Sequence, residues 1–167
     1  MILATDVLYD EQNNTALAAG VLFSEWRAEQ STRGYTLPIT GIQPYEPGSF
    51  YKRELPCLLA LLDLVKEPLD VVIVDGYVDL APDHHGLGWH LYEALERRVV
   101  VVGVAKTHFA GSAGIHVLRG ESKSPLYVTA AGMDLTLAAY FVQTMQGPHR
   151  TPTLLKLVDS LSRGRTG

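Results

Sequence analysis

Three acidic side chains stand where acids are least expected. Asp6 interrupts the apolar opening segment MILATDVLY, Asp75 closes the apolar run LDVVIV, and Glu54 follows a loop, Pro44–Lys52, that carries two prolines and a glycine. An ionised carboxylate in apolar surroundings is costly unless a cation or hydrogen bonds compensate it. Mg²⁺ and Mn²⁺ are hard ions that take carboxylate and water oxygens, so three acids delivered by three elements would suit either one. Each acid also has a plainer role open to it. An aspartate at a strand end is often a turn or cap residue, and a glutamate opening a helix is favoured by the helix dipole alone.

Lys106 ends the apolar run VVVVGVA, where it could neutralise a phosphate or serve simply as a surface lysine. His84, His85 and His90 in PDHHGLGWH lack the i,i+4 spacing and the cysteine partners of a zinc site. The stretch Gly111–Gly114 matches neither a P-loop nor a dinucleotide fingerprint and reads as a flexible loop. Cys57, the lone cysteine, lies in LPCLLALL, so it reads as a buried structural thiol rather than a nucleophile.

The elements that must position these groups follow from periodicity. Three strands open the chain, Met1–Tyr9, Thr15–Trp26 and Gly34–Gln43, the first two joined by a polar turn short enough for an antiparallel hairpin. Apolar residues at helical spacing predict a helix over Glu54–Lys66. Leu69–Val74 and Val99–Ala105 read as buried central strands with a helix, Leu87–Arg98, between them. Short strands near Ile115–Leu118 and Leu126–Thr129 precede helices near Asp134–Gln146 and Thr151–Leu161. Antiparallel strands followed by βαβ units predict an α/β fold: a mixed sheet with helices on both faces, in the order of ribonuclease H-like proteins.

The 167 residues suit a single domain over 1–167, with a flexible tail from about residue 163. Apolar residues make up 47% and charged ones 19%, an ordinary globular balance. No apolar run reaches the roughly 18–20 residues of a membrane span, and the opening lacks a basic leader, so a cytoplasmic protein without a membrane partner is expected. The net charge of −4 argues against a protein that coats nucleic acid with a basic surface. It leaves room for a nuclease, because metal ions in an acidic site restore local attraction for phosphate.

Taken together, four segments in order resemble the endonuclease V family over nearly the whole chain. ATDVLY is similar to the family's first strand, and PYEPGSFYKRELP to its loop with a Tyr-x-Pro-Gly element before an Arg-Glu pair. VIVDGYVDLAPDHHGLGWHL resembles the strand and turn of the third acid, and GVAKT the segment of the catalytic lysine. The resemblance implies a ribonuclease H-like fold and Mg²⁺- or Mn²⁺-dependent cleavage near a deaminated base, chiefly inosine, in DNA or RNA. It implies Asp6, Glu54 and Asp75 as metal ligands and Lys106 as a further catalytic residue that also meets the nucleic acid. Pro44 and Tyr45 would wedge strands apart, and Pro47, Gly48, Arg53 and Gly76 would contact the nucleic acid, with Gly48 and Gly76 lining a pocket for a flipped base. A monomer is expected.

The chain also departs from the family. Met133 stands where a histidine is usual, with Asp134 beside it; Asp134 and His90 are therefore accessory candidates. Ala81-Pro82-Asp83 replaces a His-Pro-Arg run, Val78 replaces a glycine, and the chain starts almost at the first strand, without a preceding helix. These changes keep two alternatives open. One is a homologue that binds nucleic acid with weakened or lost catalysis; the other is a different ribonuclease H-like phosphohydrolase, such as a resolvase or exonuclease.

Overall fold

A polar turn sets the first half of the sheet. The Asp10 carboxylate accepts from the Asn13 backbone N–H at 3.2 Å and from its side-chain amide at 2.7 Å, which reverses the chain within five residues. In the computed structural model, which describes residues 1–165, β1 (Ile2–Asp10) and β2 (Thr15–Phe23) then pair antiparallel along their whole length. Next come β3 (Arg33–Thr40), α1 (Tyr51–Leu62), β4 (Val71–Asp75), the short strands β5 (Asp79–Ala81) and β6 (His84–His85), and α2 (Leu87–Ala94). The chain continues through β7 (Val100–Ala105), β8 (Ile115–Val117), β9 (Leu126–Ala131), α3 (Leu135–Gln143) and α4 (Thr153–Ser162).

The main sheet has the order β3-β2-β1-β4-β7-β9-β8. β1, β4 and β7 run parallel at its centre, and the flanking strands are antiparallel to their neighbours. Pro38 sits on β3, an edge strand, where a missing N–H costs no ladder bond on the open side. Successive strand residues point to opposite faces, and the core divides accordingly. Val71, Ile73, Val102 and Val104 pack with Ala138, Val142, Leu154 and Val158 of α3 and α4. Val72, Val74 and Val101 pack with Leu58, Leu61, Leu87 and Leu91 of α1 and α2. The central strands are thus apolar on both faces, as their unbroken runs of valine require. The expected mixed α/β architecture is found.

Two local expectations change. The first helix begins at Tyr51 rather than Glu54 and ends at Leu62, where the chain turns before Pro68, so Glu54 lies inside the first turn. The β5–β6 hairpin went unforeseen because strands of two and three residues carry no readable alternation. After α4 the Gly164 and Arg165 N–H groups bond back to the Leu161 and Ser160 carbonyls. The remainder of the expected flexible tail lies outside the described residues. No helix among them is long and apolar enough to cross a membrane.

Candidate functional site

Strand alternation brings the acids to one end of the sheet. Asp6 shares its parity with Ile2 and Ala4, Asp75 with Val71 and Ile73, and Lys106 with Val102 and Val104, all of which face α3 and α4. These three side chains line a common cleft, and α4 adds a fourth member, Asp159. Ser162, on the next turn of α4 and 1% exposed, donates its hydroxyl to Asp6 Oδ2 at 2.7 Å.

The electrostatics of the cleft are only partly compensated, by Ser162 and Lys106. Burial raises the Asp6 pKa, the Ser162 hydrogen bond pulls it down, and repulsion from Asp159 pushes it up again. Asp75 is also raised, first by loss of hydration among the crowded strand ends and then by Asp6; Lys106 works against the shift and Asp159 with it. Water still reaches Asp75 at the sheet edge. Glu54 is 5% exposed and, among the described residues, has no hydrogen-bond or ion-pair partner. Burial holds its pKa well above the ordinary range, and the charges of Asp75 and Asp6 add to the shift.

Glu54 reaches this group from the α1 side of the sheet, opposite to α4. Consistent with that split, no three His, Cys, Asp or Glu side chains among the described residues are arranged to enclose a metal ion by themselves. Asp75 links the two sides. It lines the cleft with Asp6, Lys106 and Asp159, and it also lines a second pocket with Glu54, Gly48, Gly76, Tyr77 and Phe109.

The second pocket is built from backbone and flat rings. Gly76 has φ of +128°, a conformation that side-chain-bearing residues rarely adopt, so the turn after β4 depends on glycine here. Gly103 of β7 lets that turn dock: a Cβ there would stand 2.5 Å from the Gly76 carbonyl oxygen. Val78, buried at the end of the turn, donates its N–H to Thr129 Oγ1 at 2.8 Å. The Tyr77 hydroxyl donates to the Thr107 carbonyl at 2.7 Å and accepts from Phe109 N–H at 3.1 Å, tying the segment after Lys106 to the pocket wall.

The other sequence-derived candidates are distributed unevenly. Pro44, Tyr45 and Pro47 lie on an exposed loop beside the pocket; Tyr45 is 57% exposed, edge-on to Phe50. Arg53 is buried instead of facing outward, with Nη1 on Glu11 at 2.9 Å and its guanidinium 4.3 Å over the Tyr9 ring. His90 stacks on Tyr51, a ring that lines the second pocket, with 3.6 Å between ring centroids. Asp134 caps α3, accepting from Leu137 N–H at 3.0 Å, while Met133 packs on the core. Asp159 and Ser162 were missed in the sequence: an aspartate four residues before Arg163 on a helix reads as a surface ion pair, which it also forms.

An acid-lined cleft at one edge of a mixed α/β sheet, next to a glycine- and ring-walled pocket, defines a class of ribonuclease H-like proteins. A sequence profile of Endonuclease V matches residues 1–147, and the chain belongs to the endonuclease V family. An endonuclease V from Streptomyces avermitilis is 27% identical over 97% of this chain and 79% of its own length. One from Thermococcus kodakarensis is 33% identical over 74% of this chain and 59% of its own. The crystal structure of the Streptomyces avermitilis endonuclease V superposes with a TM-score of 0.79 at 25% identity, covering 98% of this chain and 79% of that one. Ciona intestinalis endonuclease V (D234N), in complex with a 23mer DNA containing an inosine, shares the fold with a TM-score of 0.83 at 20% identity over 98% of this chain and 83% of that one.

Proposed function

We propose that this chain is a divalent-metal-dependent endonuclease that hydrolyses a phosphodiester beside a deaminated base, inosine foremost, in DNA or RNA. The observation that carries this reading is the shared wall at Asp75, with the acidic cleft on one side and the second pocket on the other. A backbone phosphate at the acids and an extruded base in the pocket would then be neighbours. The inosine-containing DNA bound to the Ciona relative favours the same class of substrate.

The donor chemistry fits Mg²⁺ or Mn²⁺. Carboxylate oxygens are the donors such ions prefer, and a cation among them would relieve the repulsion that helps raise Asp6, Glu54 and Asp75. Asp6, Glu54 and Asp75 would hold the ion, with Asp159 as a further carboxylate lining the cleft. Mg²⁺ commonly binds through one or two carboxylates plus water and substrate oxygens, so a closed protein cage is unnecessary. When bound, it supplies Lewis acidity toward the phosphate and the attacking water.

The chain's own groups do the positioning. Lys106 shares the cleft with Asp6 and Asp75, so its ammonium would offset charge building on the phosphate. Ser162 donates to Oδ2 of Asp6 and so orients the carboxylate. Pro44 and Tyr45, at the tip of the exposed loop, would wedge between strands, with Pro47 stiffening the loop. Gly48 and Gly76 would let the base approach backbone, and we read Arg53 as a brace for α1.

The test is cleavage of labelled single strands, inosine-containing, plain and branched, with Mg²⁺ or Mn²⁺. Cutting beside inosine alone is expected, with a loss of about a hundred- to a thousand-fold in Asp75→Asn and Asp6→Ala at unchanged melting temperature. Equal cutting of plain or branched strands would point to a different phosphohydrolase. Inosine binding without cutting would leave a binding homologue, and full activity in Asp75→Asn would overturn the site.

A further inference from the structure

The histidines of PDHHGLGWH acquire a use at the second pocket. His85 is one of its lining residues, and the ring is held from two directions. Its Nδ1 lies 2.6 Å from Oδ1 of Asp79, the residue paired with it across the β5–β6 hairpin. One face stacks on Trp89, four residues on, at 4.6 Å between centroids and 14° between planes. A carboxylate only accepts, so Nδ1 carries the hydrogen, and in the neutral ring Nε2 is left with a lone pair. Among the described residues Nε2 has no protein partner.

We propose that His85, oriented by Asp79 and Trp89, is a specificity-determining residue whose Nε2 accepts a hydrogen bond from the ring N–H of a lactam base in the pocket. The inference rests on the proposed function and adds how the base is read. Deamination converts a ring nitrogen from acceptor to donor: hypoxanthine presents N1–H and uracil N3–H, where adenine and cytosine present lone pairs. Nε2 pairs with the former and meets the latter lone pair to lone pair. His85 is exposed at the rim of the pocket, and a bound base that covers it discriminates because the wrong base sets two lone pairs against each other. Guanine also carries N1–H. His85 therefore separates lactam from amino bases and leaves the rejection of guanine to groups that meet its 2-amino substituent.

The experiment is equilibrium binding, without divalent metal, of labelled single strands carrying inosine, adenosine or guanosine at one position, followed by cleavage of the same strands. His85→Phe keeps a ring on Trp89 and removes Nε2. The inosine-over-adenosine preference is expected to fall roughly ten-fold in that variant, with the inosine-over-guanosine preference unchanged. Asp79→Ala should give a smaller loss in the same direction, and His85→Gln, which retains an acceptor, a partial recovery. If the wild type prefers inosine and His85→Phe keeps that preference over adenosine, the inference is overturned and the proposed function stands. A wild type that neither prefers nor cuts inosine strands overturns the proposed function and this inference together.

Discussion

At Arg119 a buried guanidinium reaches no carboxylate among the described residues, yet every part of it is used. Its nitrogens donate to the carbonyls of Gln143, Met145, Gly147, His149 and Arg150, gathering the whole connection between α3 and α4 around one side chain. Across the sheet, Glu54 is equally buried and has none of this: among the described residues no donor reaches it, and two further acids repel it. One region dissolves a charge in backbone dipoles; the other leaves charges of one sign crowded together. Buried charge that is saturated by the protein works as structure, because removing it strands its partners. Buried charge that is left short is held there at a cost in stability, and the missing counter-charge belongs to a ligand.

Breaking the saturated region should produce the largest change in stability. Arg119→Met fills similar volume but leaves five carbonyls without their donor, and a loss of roughly 3–5 kcal/mol in denaturant unfolding is expected. The loop it holds also sends Arg150 to the Lys106 carbonyl at 2.6 Å, so cleavage should weaken as well. A loss under about 1 kcal/mol would mean that the carbonyls find water easily and that the knot is incidental.

The acidic end should respond in the opposite sense. Glu54→Gln removes a buried, repelled charge and is expected to stabilise the metal-free protein by about 1–3 kcal/mol while impairing cleavage. The pH dependence follows from the direction of the shift. The folded protein holds the Glu54 proton more tightly than the unfolded chain, whose carboxyl titrates near 4.5. The stability linked to Glu54 is therefore full below that value and is lost as pH rises through the higher folded pKa. Thermal melts against pH, without metal, should show this slope in the wild type and a flatter curve in Glu54→Gln. A destabilised variant would mean that Glu54 has a partner in solution and is not waiting for one.

The two regions were also unequally legible in the sequence. Asp6 and Asp75 stood out because an acid in an apolar strand breaks a local pattern, and the succession of strands and helices along the chain followed from periodicity. Nothing local marks Arg119, a single arginine between a short strand and a turn; five carbonyls converge on it only after α3 and α4 have packed. Asp159 was hidden for a related reason, since its helical spacing to Arg163 explains it as a surface pair until α4 docks on β1 and β2. Asp134, beside the position where the family carries a histidine, caps α3, a role its place before a helix made legible. The sequence cannot show Glu11 and Tyr9 closing over Arg53, because those contacts join residues more than 40 positions apart.

The finest test of the contrast is Ser162, the side-chain donor that the acidic end does possess. Its hydroxyl has one hydrogen and two acceptors in reach, Asp6 Oδ2 at 2.7 Å and the Asp159 carbonyl at 2.8 Å, and the charged one is the stronger partner. Ser162→Ala should change stability by about 1 kcal/mol or less, because the lost bond and the shed constraint on a repelled carboxylate nearly offset. In the metal-free protein the Asp6 carboxyl should titrate higher than in the wild type, since the Ser162 bond is the largest influence lowering it. Carboxyl-detected NMR titration would follow that directly. Cleavage should fall several-fold and recover in Ser162→Thr, which keeps the hydroxyl. If Asp6 titrates as before and cleavage is unchanged, strand β1 alone sets the carboxylate, and the acidic end is built without any saturating contact.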